Sequence, residues 1–229
     1  MNTVPLIIPI VFGIIVLLMF FGWWRATGGR REFMYVAGAW VAVQSVLGLA
    51  GFYLVSGGPP RFVLLAMPPT VFLLVLFMIR RGRRFIDALD LRTLTLLHGV
   101  RILVEGVLYA LYLYKAVPRQ LTFEGGNWDI LSGLSAPVIY YVAFSAKGVR
   151  RWLLLGWNLV CLGLLLNVVV RAVSLVVGPR VAVAPPTIAI QYFPYILLPG
   201  LIVPLVLFAH LAAIRAMLAM KSPPVLAAG

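Results

Sequence analysis

The sequence contains two histidines, His98 and His210, and both lie within long apolar stretches. His98 follows Arg92 by six residues, and His210 precedes Arg215 by five. At 1.5 Å of rise per helical residue, each imidazole is expected about 10 Å inside the same membrane boundary. Equal depth on two helices is what a shared site requires. We therefore predict that the two rings face each other or hold a ligand between them.

Three kinds of chemistry fit such a histidine pair. The rings could be the axial ligands of a b-type haem, with Arg101 offsetting a propionate charge. They could bind zinc together with Glu105, although seven residues separate His98 from Glu105 and place them about 10 Å apart along a helix. They could instead titrate or hydrogen-bond while a small polar or amphipathic ligand binds. The remaining interpretation is structural, with two unrelated core histidines each satisfied by a backbone carbonyl.

The predicted fourth helix carries a stripe of polar residues on one face. Its members are His98, Arg101, Glu105, Tyr109 and Tyr112, and the other faces are apolar. Each ionisable group inside the hydrocarbon costs about a few kcal/mol unless it has a partner, so the stripe is expected to face the bundle interior. One interpretation is a structural ion pair between Arg101 and Glu105, one turn apart. In the other, Arg101 anchors an anionic group of a ligand.

A second polar group is expected near the opposite membrane boundary. Arg171 lies late in the sixth apolar stretch and Asp129 opens the fifth, so we predict a structural ion pair between them. Tyr192, Pro199 and His210 fall roughly along one side of the seventh stretch, which predicts a polar track leading to the histidines. The predicted ligand-binding residues are therefore His98, Arg101, Glu105, Tyr109, Tyr192 and His210.

The composition excludes a soluble protein. Of 229 residues, 63% are hydrophobic and only 11% are charged, with a mean hydropathy of +1.06. A soluble domain could not bury so much apolar surface. The net charge of +13 is not gathered on a soluble segment, which argues against nucleic-acid binding. A single cysteine, Cys161, excludes an internal disulfide.

Seven apolar stretches are long enough to cross a bilayer, which takes about 20 residues each. We predict an all-α, seven-helix membrane protein that forms one integral membrane domain over residues 1–229. The predicted spans are Val4–Trp24, Phe33–Val55, Arg61–Ile79, Leu91–Tyr114, Trp128–Phe144, Trp152–Val176 and Thr187–Met220.

The basic residues alternate between the two sides of these spans. Thirteen lie on one side: Arg25, Arg30, Arg31, Arg80, Arg81, Arg83, Arg84, Arg92, Lys147, Arg150, Arg151, Arg215 and Lys221. Four lie on the other: Arg61, Lys115, Arg119 and Arg180. Because cytoplasmic loops are enriched in Lys and Arg, the pattern predicts an external N-terminus and a cytoplasmic C-terminus.

Four segments carry a resemblance to a known group of proteins. They are LLHGVRILVE (Leu96–Glu105), GNWDILSGLSAP (Gly126–Pro137), WNLVCLGLLLNVVVRA (Trp157–Ala172) and FPYILLPGLIVPLVLFAH (Phe193–His210). Together they resemble uncharacterised bacterial seven-span membrane proteins. The resemblance implies this architecture and a bacterial inner membrane, and it implies no activity.

The sequence therefore predicts a membrane protein with a polar site between the fourth and seventh helices. Its first interpretation is binding or transport of a small proton-linked or amphipathic ligand. The second is electron transfer through haem b held by His98 and His210, with a quinone or a membrane protein as partner. The third is an accessory subunit of a larger membrane complex.

Overall fold

The computed structural model describes residues 4–54, 61, 63–145, 148–177 and 188–220, and these residues are mostly helical. Within them the chain forms nine α-helices, which we number in order: α1 Ile7–Ala26, α2 Arg31–Leu49, α3 Val63–Met78, α4 Arg80–Asp87, α5 Leu91–Leu97, α6 Val100–Leu113, α7 Ile130–Ala143, α8 Arg151–Val177 and α9 Val203–Ala219. The expectation of an all-α protein is confirmed.

Shorter elements connect the helices. Four of those that the structure describes are 3₁₀ turns: Phe52–Leu54, Arg119–Leu121, Phe123–Gly125 and Ala189–Gln191. A π-helical turn at Leu198–Ile202 leads directly into α9. The two-residue strands β1 (Phe144–Ser145) and β2 (Gly148–Val149) pair antiparallel between α7 and α8.

Among the described residues, five helical segments are long and apolar enough to cross a membrane: Ile7–Ala26, Arg31–Leu49, Leu91–Leu113, Arg151–Leu175 and Leu198–Ala219. The count rises to six if α3 and α4, which meet at an angle of 94°, form one broken span. Helix α7 is apolar but shorter, with 14 residues. These lengths and compositions fit an integral membrane protein.

The sharp bend between α3 and α4 depends on a glycine. Ile79 is extended between the two helices, with φ −91° and ψ 144°. A Cβ atom at Gly82 would lie 2.2 Å from the carbonyl oxygen of Leu76. Only glycine therefore fits where α4 folds back against the last turn of α3.

Aromatic rings fill the core around α1 and α9. Trp23 stacks on Phe208 with ring centroids 5.3 Å apart, and Phe33 and Phe85 extend this cluster. Helix α9 is the most central helix, since Phe208, Ala209 and Ala212 are all buried. Helix α2 lies at the periphery and buries only Gln44.

In the described part of the chain, two segments without α-helix lie in the bundle interior, one before α7 and one before α9, and we call them the two interruptions. The chain forms no α-helix between the end of α6 at Leu113 and the start of α7 at Ile130. Three residues of this segment, Leu121, Thr122 and Asn127, are nevertheless buried. The predicted seventh span, Thr187–Met220, is interrupted within the part that the structure describes. Residues 192–196 form turns and helical structure begins at 197, because Pro194 and Pro199 lack the N–H groups that a regular helix needs.

Some residues used in the sequence predictions lie outside the described ranges. They are the predicted span ends Val55 and Thr187, and the basic residues Lys147, Arg180 and Lys221 of the topology count.

Candidate functional site

The two histidines meet, as the sequence predicts. Their ring centroids lie 4.0 Å apart with an interplanar angle of 19°, and both residues are at most 1% exposed. His98 lies at the junction of α5 and α6, where hydrogen bonds from Gly99 to Leu96 and from Arg101 to His98 span three residues instead of four. This local break in the helix places the His98 ring against α9.

The neighbours of His210 determine its protonation state. Its Nε2 atom lies 3.0 Å from Nη1 of Arg101, and because a guanidinium has only donors, Nε2 accepts. Its Nδ1 atom lies 2.9 Å from Oδ1 of Asn158. That oxygen accepts, since the Asn158 amide nitrogen donates to the carbonyl of Leu154. His210 is therefore a neutral imidazole with its proton on Nδ1.

Arg101 is paired with Asp129 through two contacts. Its Nε donates to Oδ2 of Asp129 at 2.6 Å, and its Nη2 forms an ion pair with Oδ1. The two side chains are 3% and 8% exposed. The predicted ion pair between Asp129 and Arg171 is therefore wrong. The sequence could not show this, because Asp129 reaches Arg101 only where the chain before α7 enters the bundle.

Arg171 instead binds the backbone of that same chain segment. Its Nη1 donates to the carbonyl of Gly125 at 2.9 Å, and its Nε donates to Oδ1 of Asn167. Asn167 in turn donates to the carbonyl of Gly126 at 2.9 Å. Gly126 has φ +94°, and a Cβ atom there would lie 2.8 Å from Arg171. Helix α8 thus holds the non-helical segment in place.

Glu105 does not pair with Arg101, which corrects the structural interpretation of the polar stripe. Its Oε1 accepts a hydrogen bond of 2.7 Å from the side-chain amide of Asn127. Among the described residues, its buried Oε2 has no hydrogen-bond partner. The residue itself is 1% exposed. A buried carboxylate oxygen without a partner is rare, and it points to a group not contributed by these residues.

A cavity of about 100 Å³ lies beside this carboxylate. Arg101, Glu105 and Asp129 provide the titratable side chains of its wall. The rest of the wall is apolar and comes from α3, α6, the segment before α7, α8 and the last helix: Ala66, Val104, Leu108, Leu121, Leu165, Val168, Val169, Ala172, Val173, Ile190, Leu198, Pro199, Ile202, Val203 and Val206.

Both interruptions contribute to this wall. Leu121 and Asp129 come from the interruption before α7, while Ile190, Leu198 and Pro199 come from the one before α9. The two interruptions are joined by a hydrogen bond of 2.8 Å from the backbone N–H of Ala189 to the carbonyl of Ala116. In membrane proteins, irregular backbone inside the bundle is found where it is covered by protein or lines a cavity.

Four of the predicted ligand-binding residues do not line the cavity. His98 and His210 lie next to it, beyond Arg101, and are absent from its wall. Tyr109 donates a hydrogen bond of 3.1 Å to the exposed Glu124, and Tyr192 lies in the turn after Gln191. Of the predicted polar track, Pro199 lines the cavity, whereas Tyr192 and His210 do not.

The histidine geometry does not fit a haem. The two rings stack face to face 4.0 Å apart, which leaves no space for a porphyrin between them. Both nitrogens of His210 are also engaged, by Arg101 and Asn158. Among the described residues, no group of three or more His, Cys, Asp or Glu side chains could hold a metal ion, so the zinc alternative finds no ligand set.

Several residues that complete this network are missing from the sequence predictions. Asn127 and Asn158 each hold a charged or titratable partner, and Trp157 packs edge-on against His98 at 5.4 Å. Asn158 could be identified from the sequence, because an amide inside a long apolar stretch needs a polar neighbour. Asn127 could not be identified in this way, because the sequence predicts that its segment is a loop outside the membrane.

Comparison with known proteins identifies the family of this chain and assigns it no activity. The chain belongs to the family described as Domain of unknown function (DUF8737), whose model matches residues 60–218, more than half of the chain. The matched region contains the two interruptions, the cavity wall and both histidines. No curated protein and no solved structure matches the chain.

Proposed function

We propose that this chain is an integral membrane protein that binds a small amphipathic ligand in the cavity between α6, α8 and α9. The apolar part of the ligand contacts the valines and leucines of the wall, and its polar end meets Glu105. The observation that carries the proposal is the buried Oε2 atom of Glu105, which has no hydrogen-bond partner among the described residues. Glu105 belongs to the wall of a cavity whose other lining residues are apolar except for Arg101 and Asp129.

The proposed architecture has seven spans, with the N-terminus outside and the C-terminus in the cytoplasm of a bacterium. Each of the seven predicted stretches contains a helix, and the basic residues alternate between their ends. Helix α7 is about 21 Å long, shorter than the roughly 30 Å of a hydrocarbon core. The buried segment that ends at Asp129 accounts for the rest of that span.

The position of the cavity supports binding. Ligand sites in membrane transport proteins typically lie where helices are discontinuous near the middle of the bundle. Here the two interruptions meet at one cavity, and Oε2 of Glu105, a residue of its wall, has no hydrogen-bond partner among the described residues. A purely structural polar core would be expected to satisfy that carboxylate internally.

The proposal is tested by thermal unfolding of the purified protein in detergent with three six-carbon probes: hexylamine, hexan-1-ol and hexanoate. We expect at least one probe to raise the unfolding midpoint in a saturable manner, because binding to the folded state stabilises it. Val169→Phe, which fills the cavity, should abolish the shift. Val170→Phe is the matched control, since Val170 is the next residue on α8 and is 63% exposed.

Two results would contradict binding in this cavity. In the first, none of the three probes changes the unfolding midpoint of the wild-type protein. In the second, Val169→Phe responds to the probes as strongly as Val170→Phe does.

A further inference from the structure

We infer that the polar end of the ligand is a cationic hydrogen-bond donor, of the class of primary amines, and that Glu105 is its acceptor. This inference rests on the proposed ligand site and names the chemistry of what fills it. It reverses the expectation that Arg101 anchors an anion.

Arg101 is not free to bind an anion. Its guanidinium donates to both oxygens of Asp129 and to Nε2 of His210. The bidentate contact with Asp129 balances its charge inside the bundle. A ligand carboxylate would have to displace Asp129, which has no other ion-pair partner among the described residues.

The charges around the cavity then favour a cation. Arg101 and Asp129 cancel, and His210 is neutral because its Nε2 atom accepts from Arg101. Of the two carboxylates that line the cavity among the described residues, Glu105 is the one without an ion-pair partner, and Asn127 gives it a hydrogen bond but no positive charge. A buried carboxylate is costly unless it is paired, so an ammonium group at Oε2 would remove that cost.

The hydrogen-bond chemistry of the ionised carboxylate gives the same answer. The unpartnered atom is a carboxylate oxygen, which accepts. A group that only accepts, such as a quinone carbonyl or a carboxylate, would oppose it lone pair to lone pair. A hydroxyl would satisfy the oxygen, while an ammonium would satisfy both the oxygen and its charge.

The dimensions of the cavity limit the apolar part of the ligand. Its volume of about 100 Å³ is smaller than the roughly 150 Å³ that admits benzene in an engineered protein cavity. The amine and its first few carbons therefore fill it. A longer chain would continue past Val173, a wall residue on α8 that is 44% exposed.

The test compares the same three probes in the wild-type protein. The probes share a six-carbon chain and differ in their polar group. We expect hexylamine to bind at least about ten-fold more tightly than hexan-1-ol, as measured from the dependence of the unfolding midpoint on probe concentration. Hexanoate should give the smallest shift. Glu105→Gln should lower the affinity for hexylamine to that for hexan-1-ol. Glu124→Gln is the matched control, because it removes an exposed carboxylate outside the cavity wall.

The outcomes separate this inference from the proposed function. Equal affinities for hexylamine and hexan-1-ol, or tighter binding of hexanoate, would overturn the cationic class and leave ligand binding in place. No shift with any probe would overturn ligand binding itself. Because the comparison of probes uses the wild-type protein, it decides the matter even if Glu105→Gln does not fold.

Discussion

Among the described residues, two bidentate contacts join an arginine to an aspartate, and they differ mainly in their surroundings. Arg215 on α9 donates to both oxygens of Asp87 at 2.8 and 3.0 Å, and the two side chains are 33% and 47% exposed. The Arg101–Asp129 contact has the same chemistry but is almost fully buried. The first pair can exchange its partners for water, whereas the second cannot.

This difference separates a surface contact from a structural requirement. An exposed ion pair adds little, because water competes for both charges. Removing one partner of a buried pair leaves the other charge in a medium that cannot solvate it. The buried pair also holds the first residue before α7 against α6, so its loss would affect the cavity as well as stability.

The largest expected effect is that of Asp129→Asn. It should lower the free energy of unfolding by about 3–5 kcal/mol, because Arg101 stays buried without a counter-charge. The measurement is thermal or denaturant unfolding in detergent, with Asp87→Asn as the exposed counterpart. Equal losses for the two variants would show that burial does not distinguish the pairs.

A packing change beside the buried pair should have the next largest effect. A Cβ atom at Gly133 on α7 would lie 2.7 Å from the side chain of Ile102 and 2.9 Å from its backbone nitrogen. We expect Gly133→Ala to lower the free energy of unfolding by roughly 1–3 kcal/mol through overpacking. Gly106→Ala on α6 is the matched control, since a Cβ atom there meets no atom within 4 Å. A loss from the control as large as from Gly133→Ala would rule out close packing as the cause.

Removing one hydrogen-bond acceptor from the buried region should cost somewhat less. Asn158→Leu leaves Nδ1–H of His210 without an acceptor, so we expect a loss of about 1–3 kcal/mol. Nitrogen-15 NMR of the histidines in the wild-type protein should show His210 as the Nδ1–H tautomer. Observing the Nε2–H tautomer or an imidazolium would contradict the hydrogen bond with Arg101.

The smallest effect is expected at the exposed pair. Asp87→Asn should cost no more than about a fifth of the loss from Asp129→Asn, and less at high salt. Hydrogen bonding from Arg215 lowers the pKa of the Asp87 carboxyl. The stabilisation is therefore present above the pKa of the unfolded chain and is lost as the pH falls through the folded value.

Unfolding midpoints of the wild type and Asp87→Asn, measured from pH 7 down to acid, should converge at low pH. A difference that persists or grows as the carboxyl becomes protonated would show that the variant acts through something other than the ion pair.

The sequence predicts the helices and the meeting of the histidines, and it fails where the chain leaves regular structure. Apolar length identifies the long helices but not α4, which contains four arginines. Equal depth relative to Arg92 and Arg215 is enough to bring His98 and His210 together. The partner of Asp129 could not be predicted, since it depends on how far the chain before α7 enters the bundle. Helical periodicity locates a residue on its own helix, but it does not describe turns such as those at Pro194.

The side chain of Asn127 connects Glu105 to the chain between α6 and α7. Its amide nitrogen donates to Glu105 and to the carbonyl of Leu121, while its Oδ1 atom accepts from the backbone N–H of Asp129. Turning of the Glu105 side chain would therefore break its hydrogen bond to the same amide that holds Leu121 and the start of α7. Movement of the chain between α6 and α7 and occupancy at Glu105 are therefore thermodynamically linked. By reciprocity, whatever tightens one tightens the other by the same factor.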